Sequence, residues 1–318
     1  MRILVVGAGA IGGYFGGRLM EKGEDVTFLV REKRKQQLDR DGLMIESIYG
    51  DLKLQPKTLL SGESADSFDV ILVSTKAYQL ERAIESFHSY VNENTIILPL
   101  LNGYAHLDIL ICEFGEERVI GGLCFIEATL DYNGKILQTS PAHDLIFGER
   151  SGEITQRILP LLTSFSGTKA VFTLSKNIEQ DMWHKYLFIA TFSGVTSLFR
   201  SPIGPIRDQE YGLKTIEKVL NETAEIMRDM NAPIDQHIEE AQLKKILGLS
   251  NGMKSSLQRD MEKQQPTEAD HFFGYLLQHA KIKGIKSPIL SAIYGNLAVY
   301  GTEGWDRGTG FLSHQLRK

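Results

Sequence analysis

Six residues near the start of the chain, Gly7-Ala8-Gly9-Ala10-Ile11-Gly12, follow the apolar run Ile3-Leu4-Val5-Val6 directly and lead straight into a helical pattern. Alone, the spacing G-x-G-x-x-G says little. With a strand before it and a helix after it, each glycine acquires a purpose. Gly7 permits the tight turn, Gly9 lets main chain approach a ligand, and Gly12 lets helix and strand pack closely. The opening turn of the helix then offers N–H groups and a positive dipole end, which suit a diphosphate. Gly7, Ala8, Gly9, Ala10, Ile11 and Gly12 are therefore candidate cofactor-binding residues. A tight βα turn with no ligand is the competing reading.

The rest of the first half supports a nucleotide-binding sheet. Further β-branched runs lie at 26–30, 70–74 and 96–100, alternating with helical stretches at 12–22, ended by Gly23, and at 78–90. That alternation predicts a mostly parallel sheet with crossover helices. Between 121 and 148 the pattern becomes strands joined by turns, with Asn133-Gly134 as a hairpin signal, so antiparallel strands should extend or flank the sheet.

After about 171 the pattern is helical. Residues 176–199 predict a long helix capped by Ser175, followed by helices at 207–230 and 234–247, with Pro202, Pro205 and Pro233 as punctuation. Thr267 reads as an N-cap with Asp270 as its capping-box partner, opening a helix that puts Phe272, Leu276 and Ala280 on one face and stops at Gly284. Ser287-Pro288 reads as the N-cap and first residue of the last helix. The expectation is an α/β N-terminal Rossmann domain over 1–170 and an all-helical C-terminal domain over 171–318, the latter for substrate binding and dimerisation.

Composition excludes several other classes. Thirty-five Lys and Arg against 40 Asp and Glu give a net charge of -5, which supplies no basic face for nucleic acid. No window is apolar enough for a membrane span. The two cysteines, Cys112 and Cys124, are too few for a disulfide framework, and no metal-ligand spacing occurs. A cytoplasmic protein without a metal is expected.

The second strand runs into Arg31. NAD sites usually place a carboxylate there for the ribose hydroxyls, whereas arginine suits the 2′-phosphate of NADP. Lys33 and Arg34 add positive charge, Glu32 opposes it, and Lys35 reads as a solvated surface group. The cofactor expected is therefore NADP, supplied as NADPH. Two other strand ends carry polar residues, Lys76 and Asn102, at the sheet edge where such folds hold ligands. A plain Asn-Gly turn is the alternative for Asn102.

Together these residues resemble the ketopantoate reductase (2-dehydropantoate 2-reductase) family. The glycine loop, Lys76-Ala77 and Asn102-Gly103 match its pattern in order. So do Trp183-His184-Lys185, Ser255-Ser256-Leu257-Gln258 and Thr267-Glu268-Ala269-Asp270, and the match runs over nearly the whole chain. The resemblance implies NADPH-dependent reduction of a 2-keto acid, on the route to pantothenate, in a cleft between the two domains. It implies Lys185 as proton donor and Glu268 as a second catalytic group near cofactor and substrate. Lys76 and Asn102 would lie by the nicotinamide, and Ala128 would make a main-chain contact to the cofactor. Asn102, Lys185, Ser193 and Ser256 would meet the substrate.

Three positions depart from the family pattern. Where the family carries asparagines four and eight residues after the lysine, and before a glycine in the next loop, this chain has Ile189, Ser193 and Ile203. Fewer polar contacts should make the pocket more apolar and change which keto acid is preferred.

The chemistry is consistent with the residues. Reducing a ketone develops charge on oxygen, which calls for a nearby cation and then a proton. A helical lysine supplies both, and desolvation by neighbours such as Ile189 would tune it downward. The ordinary reading of Lys185 is a surface lysine, and that of Glu268 a carboxylate placed by the helix dipole. His184 points about 100° away around the helix and reads as structural, and Trp183 and Tyr186 as core or interface. The partner expected is a small-molecule 2-keto acid, and the helical domain's apolar surfaces could serve a homodimer. The functional alternatives are the same chemistry on a more apolar keto acid, or a silent NADP-binding protein.

Overall fold

A computed structural model describes residues 1–302. Positions 303–318 of the expected second domain lie outside the described residues. The chain forms two compact units, one of residues 1–101 and 106–179, the other of residues 102–105 with the described residues from 180 onward.

In the first unit, β1 (Arg2–Val6), α1 (Ala10–Lys22) and β2 (Asp25–Leu29) follow one another, then α2 (Glu32–Asp41). Short strands β3 (Leu43–Ser47), β4 (Leu52–Leu54) and β5 (Lys57–Leu59) come next, then β6 (Val70–Val73), α3 (Leu80–Phe87), β7 (Ile96–Pro99) and α4 (Ala105–Phe114). A parallel sheet runs in the order β5-β2-β1-β6-β7, so β1 is central. Its residues Ile3, Leu4 and Val5 are wholly enclosed, as are Val70, Ile71, Leu72 and Val73, which is what a strand covered on both faces requires.

The hairpin lies where Asn133-Gly134 placed it. β8 (Gly121–Leu130) and β9 (Ile136–Gly148) pair antiparallel, with Gly134 at φ +80 in the turn. These strands do not lengthen the parallel sheet. They belong to a second one, ordered β10-β9-β3-β4 with β8 on β9, that includes β10 (Val171–Leu174), while α5 (Ile158–Phe165) intervenes in sequence. Helix α1 packs on this second sheet through glycines: a Cβ on Gly13 would stand 2.5 Å from Ile136, and one on Gly17 2.6 Å from Ile45.

The second unit is helical: α6 (Ile178–Phe199), α7 (Ile203–Arg207), α8 (Glu210–Asp229), α9 (Ile238–Leu247), α10 (Ser256–Glu262), α11 (Tyr275–Lys283) and α12 (Pro288–Thr302). Several expected boundaries move. The long helix starts at Ile178, and the Ser175 hydroxyl accepts from Asn177 N (3.0 Å) in a turn ahead of it. The helix expected over 207–230 breaks between α7 and α8, and Gln209 caps α8 by accepting from Gly212 N at 2.6 Å. Before α11 the chain makes one turn of π-helix (Asp270–Gly274). Its first turn closes on Glu268, whose carbonyl accepts from Phe272 N (3.0 Å), while Asp270 accepts from the Tyr294 hydroxyl (2.6 Å). The expected Thr267–Asp270 capping box is therefore replaced. Phe272, Leu276 and Ala280 do face the core, and Gly284 ends the helix at φ +71. Helix α12 starts at Pro288 as expected, but its first N–H groups are met by Glu222 of α8, which accepts from Ile289 N and Leu290 N (2.8 Å).

Among the described residues, no helix is long and apolar enough to cross a membrane, and no cluster of His, Cys, Asp or Glu could hold a metal ion.

Candidate active site

The glycine loop divides its work as its geometry requires. Gly7 sits at φ +97, a conformation that side chains disfavour. Gly12 is packed against its neighbours: a Cβ there would fall 2.0 Å from Ser74 Oγ and 2.3 Å from the Gly7 carbonyl. The Ser74 hydroxyl fills that corner, donating toward the carbonyls of Val6 (3.1 Å) and Gly7 (3.0 Å). Gly9 differs. It is the N-cap of α1, no side chain caps the helix there, and a Cβ on it would meet nothing within 4 Å. Open space before an uncapped helix start is where an anion fits, so Gly7, Ala8, Gly9, Ala10, Ile11 and Gly12 suit a dinucleotide diphosphate.

Arg31 is not the last residue of a strand. β2 stops at Leu29, and Arg31 is the exposed N-cap of α2, a helix whose charged sequence hid it from periodicity. Arg34, noted from sequence only as extra charge, is half-buried. Its Nε donates to the Ala8 carbonyl (3.0 Å) and its Nη1 to the Gly134 carbonyl (2.8 Å) and to Gln37. It thus joins the glycine loop to the hairpin turn. Gly134 sits at φ +80, which favours glycine, and a Cβ there would also crowd Arg34 Nη1 at 2.4 Å. No carboxylate among the described residues pairs with Arg34, and burial pushes its pKa down. Lys35 is occupied by Thr58 (2.9 Å) and Asp39 (3.3 Å).

Lys76 follows β6 at half-burial and precedes a turn of 3-10 helix. Ala128 is half-buried on β8, where the register against β9 shifts between Ile126 and Ala128. The displaced Glu127 N–H donates to Ser140 Oγ at 2.8 Å.

Asn102 falls with the helical unit rather than with the sheet it follows in sequence. Its carbonyl oxygen lies 2.6 Å from His271 Nε2. Lys185, on α6, is only 8% exposed, so the surface-lysine reading fails. Ser193, two helical turns on, is fully enclosed, while Ile189 between them is half-buried. Ile203 is 0% exposed and packs within the core of the helical unit, as enclosed as Ser193. Glu268 is also 8% exposed, at the foot of the π-turn. Of the serine pair, Ser255 is buried and caps α10 by accepting from Gln258 N (3.1 Å), and Ser256 is exposed.

The neighbours of Lys185 are structural, as expected. His184 Nε2 accepts from Asp235 N (3.1 Å), and burial lowers its pKa. Trp183 stacks on Tyr104 with centroids 4.1 Å apart. The enclosed Tyr186 hydroxyl donates to the Phe272 carbonyl (2.6 Å). Sequence reasoning passed over His271 and took Arg34 only as extra charge. The only available signals were His271 standing one helical turn after Glu268 and Arg34 standing one after Arg31.

Comparison with known proteins bears on family and fold. A family model described as ketopantoate reductase PanE/ApbA matches residues 3–152, and its C-terminal counterpart matches residues 177–301. An uncharacterised oxidoreductase of Bacillus subtilis is 46% identical, covering 95% of this chain and 100% of its own. The crystal structure of a 2-dehydropantoate 2-reductase from Geobacter metallireducens matches with TM-score 0.84 at 27% identity, over 94% of this chain and 99% of that one. A D-mandelate dehydrogenase solved with NADH and anilino(oxo)acetate shares the fold, with TM-score 0.84 at 21% identity over 95% and 99% of the two chains.

Proposed function

The chain belongs to the ketopantoate reductase family, a family of oxidoreductases that act on CH–OH groups with a nicotinamide cofactor, and from that premise we propose that it reduces a 2-keto acid with NADPH. Ketopantoate, giving pantoate, is the first candidate, and the cytoplasm is the proposed setting. When bound, NADPH supplies the hydride to the carbonyl carbon. The main chain of Gly7 to Gly12 holds its diphosphate and Arg31 its 2′-phosphate, with Lys76, Asn102, Ala128 and Glu268 completing the cofactor contacts.

Lys185 stabilises the charge that grows on the ketone oxygen and then donates the proton, so that C=O becomes CH–OH. Asn102, Ser193 and Ser256 orient the substrate. Glu268 serves as the second catalytic group, beside cofactor and substrate. The carrying observation is the enclosure of Lys185. Withdrawing an ammonium from water is costly, so a lysine is rarely enclosed without a partner or a task for its charge.

A second reading keeps this chemistry on a more apolar keto acid. The half-buried Ile189 favours it, since it stands where the family pattern has an asparagine. Monitoring NADPH and NADH oxidation against a panel of 2-keto acids separates the readings. Turnover of ketopantoate with NADPH supports the first, and turnover of a bulkier apolar acid the second. Tight NADPH binding with no turnover at all removes both.

A further inference from the structure

Within the helical unit, Asn102 is held by a histidine that the proposed reduction does not use. His271 is 3% exposed, and its Nε2 is 2.6 Å from the Asn102 carbonyl oxygen. A carbonyl only accepts, so Nε2 carries the proton and donates it. Gly103 makes this approach possible. It sits at φ +83, and a Cβ on it would fall 2.8 Å from His271 Nε2 and 2.9 Å from Cδ2. The backbone of the Asn-Gly turn is thus fitted to the imidazole.

His271 also touches the other half of the proposed chemistry. It stands three residues after Glu268, close enough for that carboxylate to favour its charged form. Burial outweighs both that pull and the Asn102 bond, so the ring remains neutral at neutral pH. The same π-turn directs the Phe272 carbonyl at Tyr186 Oη, 2.6 Å away, and Tyr186 adjoins Lys185 on α6. Tyr104, two residues after Asn102, stacks on Trp183 of the same helix. Insertions of this kind, which widen a helix by one residue, often mark functional positions.

We propose that His271 is a positioning residue for the reduction: its Nε2–H latches the Asn102 carbonyl and so fixes the Asn102–Gly103 turn against the elements that carry Glu268 and Lys185. The inference rests on the reductase reading above. Its contribution is indirect, since the imidazole would hold a group that meets substrate without meeting substrate itself.

Two variants of the full-length protein test it, His271→Ala and His271→Gln, the second keeping an N–H donor at similar reach. In His271→Ala, amide hydrogen exchange across residues 103–105 should accelerate about tenfold or more, and kcat should fall on the order of 10- to 100-fold. The NADPH Kd, set by the glycine loop, should change less than about twofold. His271→Gln should recover most of both losses, which a residue that merely fills space would not do. Unchanged exchange in His271→Ala overturns the latch whatever the turnover, and faster exchange with undiminished kcat overturns the positioning role. If the unmodified protein reduces no 2-keto acid, the reductase reading fails on that control alone and the positioning role falls with it. The exchange result then still decides whether the latch exists.

Discussion

In the first unit the candidate groups are mostly main chain: the Gly7–Gly12 loop, an uncapped helix start, and a carbonyl at Ala8 held from behind by Arg34. In the second unit they are side chains, Asn102, Lys185, Ser256 and Glu268, drawn from segments far apart in sequence. A dinucleotide carries a fixed diphosphate that backbone N–H groups can bind wherever a tight turn meets a helix. A keto acid must instead be protonated at one atom, which only a particular side chain can do. Binding should therefore be sensitive to shape in the first unit, and turnover to chemistry in the second.

The largest effect should come from the second unit. Lys185→Ala should lower kcat by about 10²- to 10⁴-fold, the usual range for a general acid, while NADPH titrated by fluorescence binds as before. Loss of binding along with turnover would blur the division between the units. Next come the two glycines that differ in their surroundings. Gly9→Ala places a methyl group in open space, so the melting temperature should hold while the NADPH Kd rises roughly 10- to 100-fold. Gly12→Ala drives a methyl group into Ser74 and should cost about 1–3 kcal/mol of stability. Equal behaviour of the two would contradict the ligand-facing role of Gly9.

A smaller effect should separate the two arginines. Arg31→Ala should raise the NADPH Kd about tenfold and leave NADH nearly alone. Arg34→Ala should weaken both cofactors alike, because it supports the loop through Ala8. A selective loss of NADPH in Arg34→Ala would move the 2′-phosphate role to that residue.

The smallest effect is on stability against pH. Burial lowers the pKa values of His143, His184 and His271 from the ordinary 6.5. Between 6.5 and those lower values the unfolded chain binds more protons than the folded one, so stability is full above pH 6.5 and declines as pH falls below it. The paired carboxylates Glu149 and Glu239 are lowered from 4.5 and act only at more acidic pH. Melting curves at about pH 7.5 and about pH 5.5 should differ in that sense, and by less in His184→Gln.

What could be read in the sequence follows the same division. The glycine loop, the alternating buried strands, the Asn133-Gly134 turn and the Gly284 stop are local signals, and each lies where its residues placed it. Helix α2 was hidden because, over Glu32–Asp41, only Leu38 is buried, which leaves no apolar periodicity. Strands β3 to β5 are short and mostly half-exposed, and they find partners in two different sheets. Ile203 looked like a pocket residue by position and is enclosed in the core. The cap of α12 comes from Glu222, a distant side chain that no local rule can supply. Lys185 and Glu268 stood out only through resemblance to a family, since a lysine on a helix is ordinarily a surface group.

The most direct measurement follows the transferred atom. NADPH carrying deuterium at nicotinamide C4 on either face, incubated with the protein and its best 2-keto acid, should give a hydroxy acid with one deuterium at C2 from one of the two labelled forms and none from the other. Deuterium absent from the product with both forms, or no product despite bound NADPH, would contradict the assignment of hydride to the nucleotide unit and proton to the helical one.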